Sequence, residues 1–241
     1  MINNDQSPRQ FRYIDIIMGV FVTVLVVSNV ASSAKIIDLG FSLGRIPMAF
    51  DGGTFLFPIS YIFGDILTEV YGYRRSRRVI WIGFFCLALA SLVFWLLGVL
   101  PGEVTWQQYA GDTAYKAIMG GMSSGGIVLG SLAAYWGGEF ANSYILARLK
   151  IFTQGKFLWV RTIGSTLVGE LVDTVLFVLI ATAFGVFPSS LFWTLVTANY
   201  LFKTAIEVLM TPVTYKVVNF FKRVEHEDYY DIGTDFNPFR I

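Results

Sequence analysis

Cysteine and histidine are almost missing from this chain. One cysteine, Cys86, sits inside an apolar run, and one histidine, His226, sits in a polar segment close to the C-terminus. A disulfide framework needs pairs of cysteines and a zinc site needs a cluster of Cys and His, so neither is available. A serine–histidine or metal-dependent intramembrane enzyme would need a histidine within an apolar segment, and none is there. Charge is also scarce. Only 15% of the 241 residues are charged, against 55% hydrophobic and 17% aromatic, whereas a soluble domain is about 25% charged. The net charge of +1 offers no basic surface for a nucleic acid.

What is present is apolar sequence in long runs. A bilayer core of roughly 30 Å needs about 20 apolar residues in a helix. Six stretches meet this: Tyr13 to Ala34, Gly53 to Tyr71, Val79 to Leu100, Gly121 to Leu149, Phe157 to Phe187, and Pro188 to Phe221. The first is too long for the apolar part of a signal peptide and reads as a span. The fold class expected is therefore an all-α membrane bundle of six transmembrane helices. Residues 1–12 form an N-terminal segment, 13–221 one transmembrane domain, and 222–241 a C-terminal tail. Between the first two spans, Gly40 to Gly53 holds Gly40, Gly44, Pro47, Gly52 and Gly53 among apolar residues. A strand hairpin or re-entrant turn suits it better than a helix.

Basic residues alternate between the ends of these spans. Arg9 and Arg12, then Arg74, Arg75, Arg77 and Arg78, then Arg148, Lys150 and Lys156, and finally Lys216, Lys222 and Arg223 all fall on one side. The other side carries only Lys35, Arg45 and Lys116, diluted by Asp38, Asp51, Glu103 and Asp112. Cytoplasmic loops are the lysine- and arginine-rich ones, so both termini are expected in the cytoplasm.

Charges also fall inside the apolar segments: Asp65, Glu69, Glu139, Arg161, Glu170, Asp173, Lys203 and Glu207. Eight such groups could oppose insertion by roughly 20 kcal/mol if all were central, ionised and unpaired. They must face one another or a wet cavity. Asp65 and Glu69, and Lys203 and Glu207, are four residues apart, so each pair shares a helix face. Lys203 and Glu207 could simply neutralise each other, Glu69 could pair near the arginine cluster, and Arg161 could snorkel. Three segments read Gly-acid-x-x-polar: Gly64-Asp65 with Thr68, Gly138-Glu139 with Asn142, and Gly169-Glu170 with Asp173. Such similarity fits an inverted repeat of three helices plus three.

From Ser28 onward the chain resembles the bacterial vitamin uptake transporter family, whose best-known members carry queuosine precursors. The residues are Ser28-Asn29-Val30 with Lys35, then Gly53, Phe57-Pro58, Tyr61, and Asp65 with Glu69-Val70-Tyr71-Gly72. Gly138-Glu139, Asn142-Ser143, Lys150, Arg161, Ser165, Glu170, Asp173-Thr174, Lys203, Glu207 and Pro212 complete the set. The resemblance implies import of 7-cyano- or 7-aminomethyl-7-deazaguanine across the bacterial inner membrane, in salvage for tRNA modification. It implies no cofactor, no metal and no catalysis. A substrate site is then expected from Asn29, Tyr61, Asp65, Glu139, Asn142, Glu170 and Asp173, with Lys35, Glu69, Arg161, Lys203 and Glu207 balancing charge or gating. A carboxylate can accept both N–H donors of the base's amidine edge, and an aromatic face can stack on its ring. The sequence leaves two alternatives: a substrate-capture subunit of an ATP-driven importer, and an intramembrane enzyme using Asp65 and Asp173. A homodimer in the bilayer is open to so small a bundle.

Overall fold

The computed structural model describes residues 11–43 and 46–240. Arg9 and most of the expected N-terminal segment, and Gly44 and Arg45 in the expected hairpin, lie outside these residues. The described chain is helical apart from one hairpin. Helix α1 is Ile14–Ala34, strands β1 (Ile36–Leu43) and β2 (Ile46–Asp51) follow, and a 3-10 turn over Gly52–Phe55 leads into α2, Phe57–Tyr71. Then come α3 (Tyr73–Val99), α4 (Val104–Tyr109), α5 (Gly111–Ser123), α6 (Gly125–Phe152), α7 (Leu158–Ala183) and α8 (Phe192–Glu225). The two strands pair antiparallel, with Ile36 opposite Asp51 and Leu43 opposite Ile46. The glycine-rich stretch after α1 is thus a strand hairpin, beginning a few residues earlier than its glycines suggest.

Among the described residues four segments are long and apolar enough to cross a membrane: α1, α3, the Gly111–Phe152 stretch of α5 and α6, and α7. Two of the six expected spans are not among these four. Helix α2 has 15 residues, about 22 Å at 1.5 Å per residue, because the 3-10 turn and Pro58 delay its start. Helix α8 has 34 residues and ample length, but Lys203 and Glu207 dilute its apolar character. The fourth expected span is two helices, broken at Ser124 before Gly125. The arginines expected in a turn between the second and third spans are in the first turns of α3, because Gly72 alone separates that helix from α2. At Gly72 φ is +86°, a value only glycine adopts easily.

The apolar residues divide by position. Phe21, Ile66, Ile80, Leu87 and Phe140 are buried where α1, α2, α3 and α6 meet. Phe85, Leu89, Leu92, Trp95 and Leu96 of α3 project outward, as lipid requires of a helix at the edge of a bundle. The most extensive helix contact is between α6 and α7, and small residues make it possible. Gly130 lies against Phe177, Gly138 against Asp173, Gly169 against Asn142, and Gly164 against Leu149. These pairings run in opposite directions along the two chains, so the helices are antiparallel. A Cβ on Gly138 would stand 2.8 Å from the Asp173 Cβ and 3.2 Å from the Gly169 carbonyl oxygen.

Overpacking of a close contact costs about 1–3 kcal/mol. Gly138→Val should therefore melt below the native protein in detergent or nanodiscs, whereas Gly125→Val, with open space at its Cβ, should show no overpacking penalty.

Candidate functional site

The close approach of α6 and α7 places polar side chains at the centre of the bundle. Beside them lies a cavity of about 260 Å³. Helix α1 lines it with Ser28, Asn29 and Ser32, α2 with Ser60 and Tyr61, and α6 with Ser131, Tyr135 and Glu139. Helix α7 adds Asp173, Thr174 and Phe177, and α8 adds Asn199 and Lys203. Five expected residues therefore share one cavity: Asn29, Tyr61, Glu139, Asp173 and Lys203.

Asp65, Asn142 and Glu170 stand behind that wall, each no more than 1% exposed. The Asn142 amide donates to Asp65 Oδ1 at a long 3.4 Å. Lys203 joins the two layers: its ammonium donates to Asp173 Oδ2 at 2.5 Å and lies 3.4 Å from Glu170 Oε2. The hydrogen bond of Lys203 thus crosses from α8 to α7; pairing with Glu207 on its own helix was one open reading, and balancing the site's charge the other. Glu207 is 2% exposed and lies in electrostatic range of Asp65, Glu139 and Glu170. Neither the Glu207 carboxyl nor that of Glu139 makes a hydrogen bond or ion pair among the described residues, and of the two Glu139, 8% exposed, is the one that lines the cavity.

The three Gly-acid-x-x-polar segments meet here. Gly64 leaves room for Glu139, whose Oε2 would be 3.2 Å from a Cβ at that position. Gly138 admits Asp173, and Gly169 admits Asn142. One turn further along, the Thr68 hydroxyl lies 2.9 Å from that of Ser143 and 3.0 Å from that of Ser76, within one hydrogen-bonded set of three. In each segment the glycine lets a neighbouring helix bring a polar group close, which is the physical sense of the shared pattern.

Glu69 and Arg161 belong to a second cluster, at the basic end of the bundle. Glu69 is fully buried and accepts from Arg161 Nε at 3.1 Å and Nη2 at 2.7 Å, a bidentate pair. Lys222 donates to its Oε1 at 2.7 Å, and Lys150 donates to its backbone carbonyl at 2.6 Å. Asp228 closes the cluster against Lys150 at 2.5 Å and Lys222 at 2.8 Å. Glu69 thus pairs across to α7 and α8, and Arg161 is 1% exposed, where pairing with the arginines after α2 and snorkelling were open readings. Lys35 is exposed at the end of α1 and joins neither cluster.

Sequence reasoning passed over the structural parts of Lys150, Lys222 and Asp228, which looked like loop and tail charges. It also passed over Ser28, Ser32, Ser131, Tyr135 and Asn199 in the cavity, because small polar and aromatic residues are ordinary within spans. Asp65 and Asp173 do not form an aspartyl dyad, since their hydrogen bonds run to Asn142 and Lys203. Among the described residues no group of three or more His, Cys, Asp or Glu is placed to hold a metal ion.

Two measurements follow. Removing one partner from a buried ion pair costs about 3–5 kcal/mol, so Glu69→Gln should lower the melting temperature markedly. Burial pushes the Asp228 carboxyl up, but the hydrogen bonds from Lys150 and Lys222 prevail and hold it below the ordinary carboxylate range. Its folded value is below its unfolded one, so its contribution is present at neutral pH and lost as pH falls through the folded value. Native and Asp228→Asn proteins should melt apart at pH 7 and converge in acid.

The family described as "Putative vitamin uptake transporter" matches residues 51–217. The "Probable queuosine precursor transporter" of Bacillus subtilis (strain 168) is 30% identical over 204 residues, 82% of each chain. The "Queuosine precursor transporter" of Escherichia coli (strain K12) is 23% identical over 168 residues, 69% of this chain and 71% of that one. No solved structure matches the chain. With these matches and its long apolar helices, the chain belongs to the vitamin uptake transporter family, multi-pass membrane transporters and not enzymes.

Proposed function

We propose that this protein imports queuosine precursors, the 7-cyano or 7-aminomethyl form of 7-deazaguanine, through the cavity beside α6 and α7. The observation that carries the reading is Glu139, a nearly buried carboxyl facing the cavity with no hydrogen bond or ion pair among the described residues. A purine-like base presents two parallel N–H donors on its amidine edge, and one carboxylate accepts both. Asn29 and Asn199 supply amides for the base's carbonyl and ring nitrogen, while Tyr61, Tyr135 and Phe177 offer aromatic surface to a flat ring. The Asp173–Lys203 pair keeps its charge balanced and leaves Glu139 as the acceptor. The names of the two relatives support this choice of substrate.

In this reading α2 and α8 complete six membrane passages, the lysine- and arginine-rich end faces the cytoplasm, and both termini lie there. The membrane is the bacterial inner membrane. The base enters from the other side, and alternating access about the cavity delivers it to the cytoplasm for tRNA modification.

A hydrogen bond to a charged group contributes about 1.5–3 kcal/mol. Glu139→Gln should therefore lower uptake of the labelled base by about tenfold or more, in cells unable to synthesise it and at unchanged membrane abundance. Normal uptake by that variant would remove Glu139 from the site. Purified protein in liposomes should accumulate the base without added ATPase subunits, and a strict need for such subunits would favour a capture subunit.

A further inference from the structure

The segment after α8 does not trail from the bundle. It folds back beneath α2, α3 and α6, held by polar bonds and by the rings of Phe236 and Phe239. The Tyr229 N–H donates to the Val70 carbonyl at 3.2 Å. The Tyr73 N–H donates to both oxygens of Asp231, at 3.0 and 3.1 Å. Arg77 donates to the carbonyls of Asp235 and Asn237 at 3.0 and 2.6 Å, and Trp81 donates to that of Pro238 at 2.8 Å. Two tail tyrosines rest on glycines, Tyr229 on Gly72 and Tyr230 on Gly155, where any Cβ would overlap them. Through Asp228 the tail also enters the Glu69 cluster.

This arrangement lies across the path from the cavity to the basic end. The cavity opens among the halves of α1, α6, α7 and α8 remote from that end. Beyond it come the Thr68–Ser143–Ser76 hydroxyls, then the Glu69 cluster, then the tail. Glu69 alone binds groups from α6, α7 and α8. No solute could leave at the basic end while α2 is tied to those three helices. The ties combine ion pairs and hydrogen bonds, which water can replace, with ring contacts of Phe236 on Tyr73 and Tyr144 and of Phe239 on Trp81 and Trp136. Asp228 is the accessible member, with 44% of its side chain exposed.

We propose that the tail of residues 227–240 and the Glu69 cluster form the cytoplasmic gate of this transporter, closed here and opened once in each transport cycle. The gate rests on the transport reading for its direction, but not for its chemistry. Asp228 is the clasp between the tail and the helices, and opening breaks its bonds to Lys150 and Lys222.

The test labels single cysteines in a Cys86→Ser background with an impermeant maleimide and needs no substrate, so it is independent of which solute is carried. Ser143→Cys reports access from the basic end, and Ser32→Cys reports access to the cavity from the other side. With the native tail, Ser143→Cys should be protected in inside-out vesicles and Ser32→Cys should react in spheroplasts. Asp228→Ala should speed labelling at Ser143→Cys by at least about fivefold and slow it at Ser32→Cys, and Asp228→Glu should restore the native pattern. A chain ending at His226 should show the same reciprocal change. Unchanged labelling at both positions in folded Asp228→Ala protein would overturn the gate and leave the tail a static brace. Faster labelling at both positions would overturn it too, since that is loosening and not alternation.

Discussion

A charge buried in a low-dielectric bundle needs a partner, and this one requirement organises the molecule. Moving an isolated ion out of water costs several kcal/mol even after the protein relaxes. Six of the eight ionisable residues expected in the apolar segments are no more than 8% exposed, and with Asp173 and Lys203 they draw together from α2, α6, α7 and α8. They settle in two layers. Near the basic end Glu69 is saturated by Arg161, Lys150 and Lys222. In the middle, Lys203 pairs with Asp173 and Glu170, Asp65 accepts from Asn142, and Glu139 keeps its oxygens for the cavity. The first layer holds helices together. The second is where an incoming molecule with N–H donors would complete the bonding.

Glycine sets where the layers fall. A helix can bring a carboxylate or amide against its neighbour only where that neighbour has no side chain in the way. Gly64, Gly138 and Gly169 provide three such positions at one depth. At the basic end, Gly72 and Gly155 do the same for the tail. A single stereochemical device thus serves the cavity and its closure, which explains why glycine precedes the acid in all three repeated segments.

Much of this could be read from the sequence, though unevenly. The apolar runs revealed the spanning helices, and the glycine-rich stretch after α1 revealed a hairpin. The lengths of α2 and α8 were harder, because hydropathy measures composition and not where a 3-10 turn or a proline delays a helix. The break at Ser124 carried no charge or proline to mark it. Spacing singled out Asp65, Glu139, Glu170 and Asp173, but i,i+4 logic sees only one helix. Hence Lys203 looked like a partner for Glu207, although its ammonium reaches Asp173 on α7. The role of the tail was hidden for the same reason, since nothing in residues 227–240 announces that carbonyls there will meet Arg77 and Trp81.

The account stands most directly on the separation of the two layers, one for binding and one for holding the bundle. Thermal melts of the purified protein with and without 7-cyano-7-deazaguanine measure both at once, because a ligand at 100 times its Kd stabilises by about 2.7 kcal/mol. The account predicts that Glu139→Gln melts near the native temperature and loses the upward shift with ligand. It predicts that Glu69→Gln melts lower and keeps the shift. A full ligand shift in Glu139→Gln would contradict it.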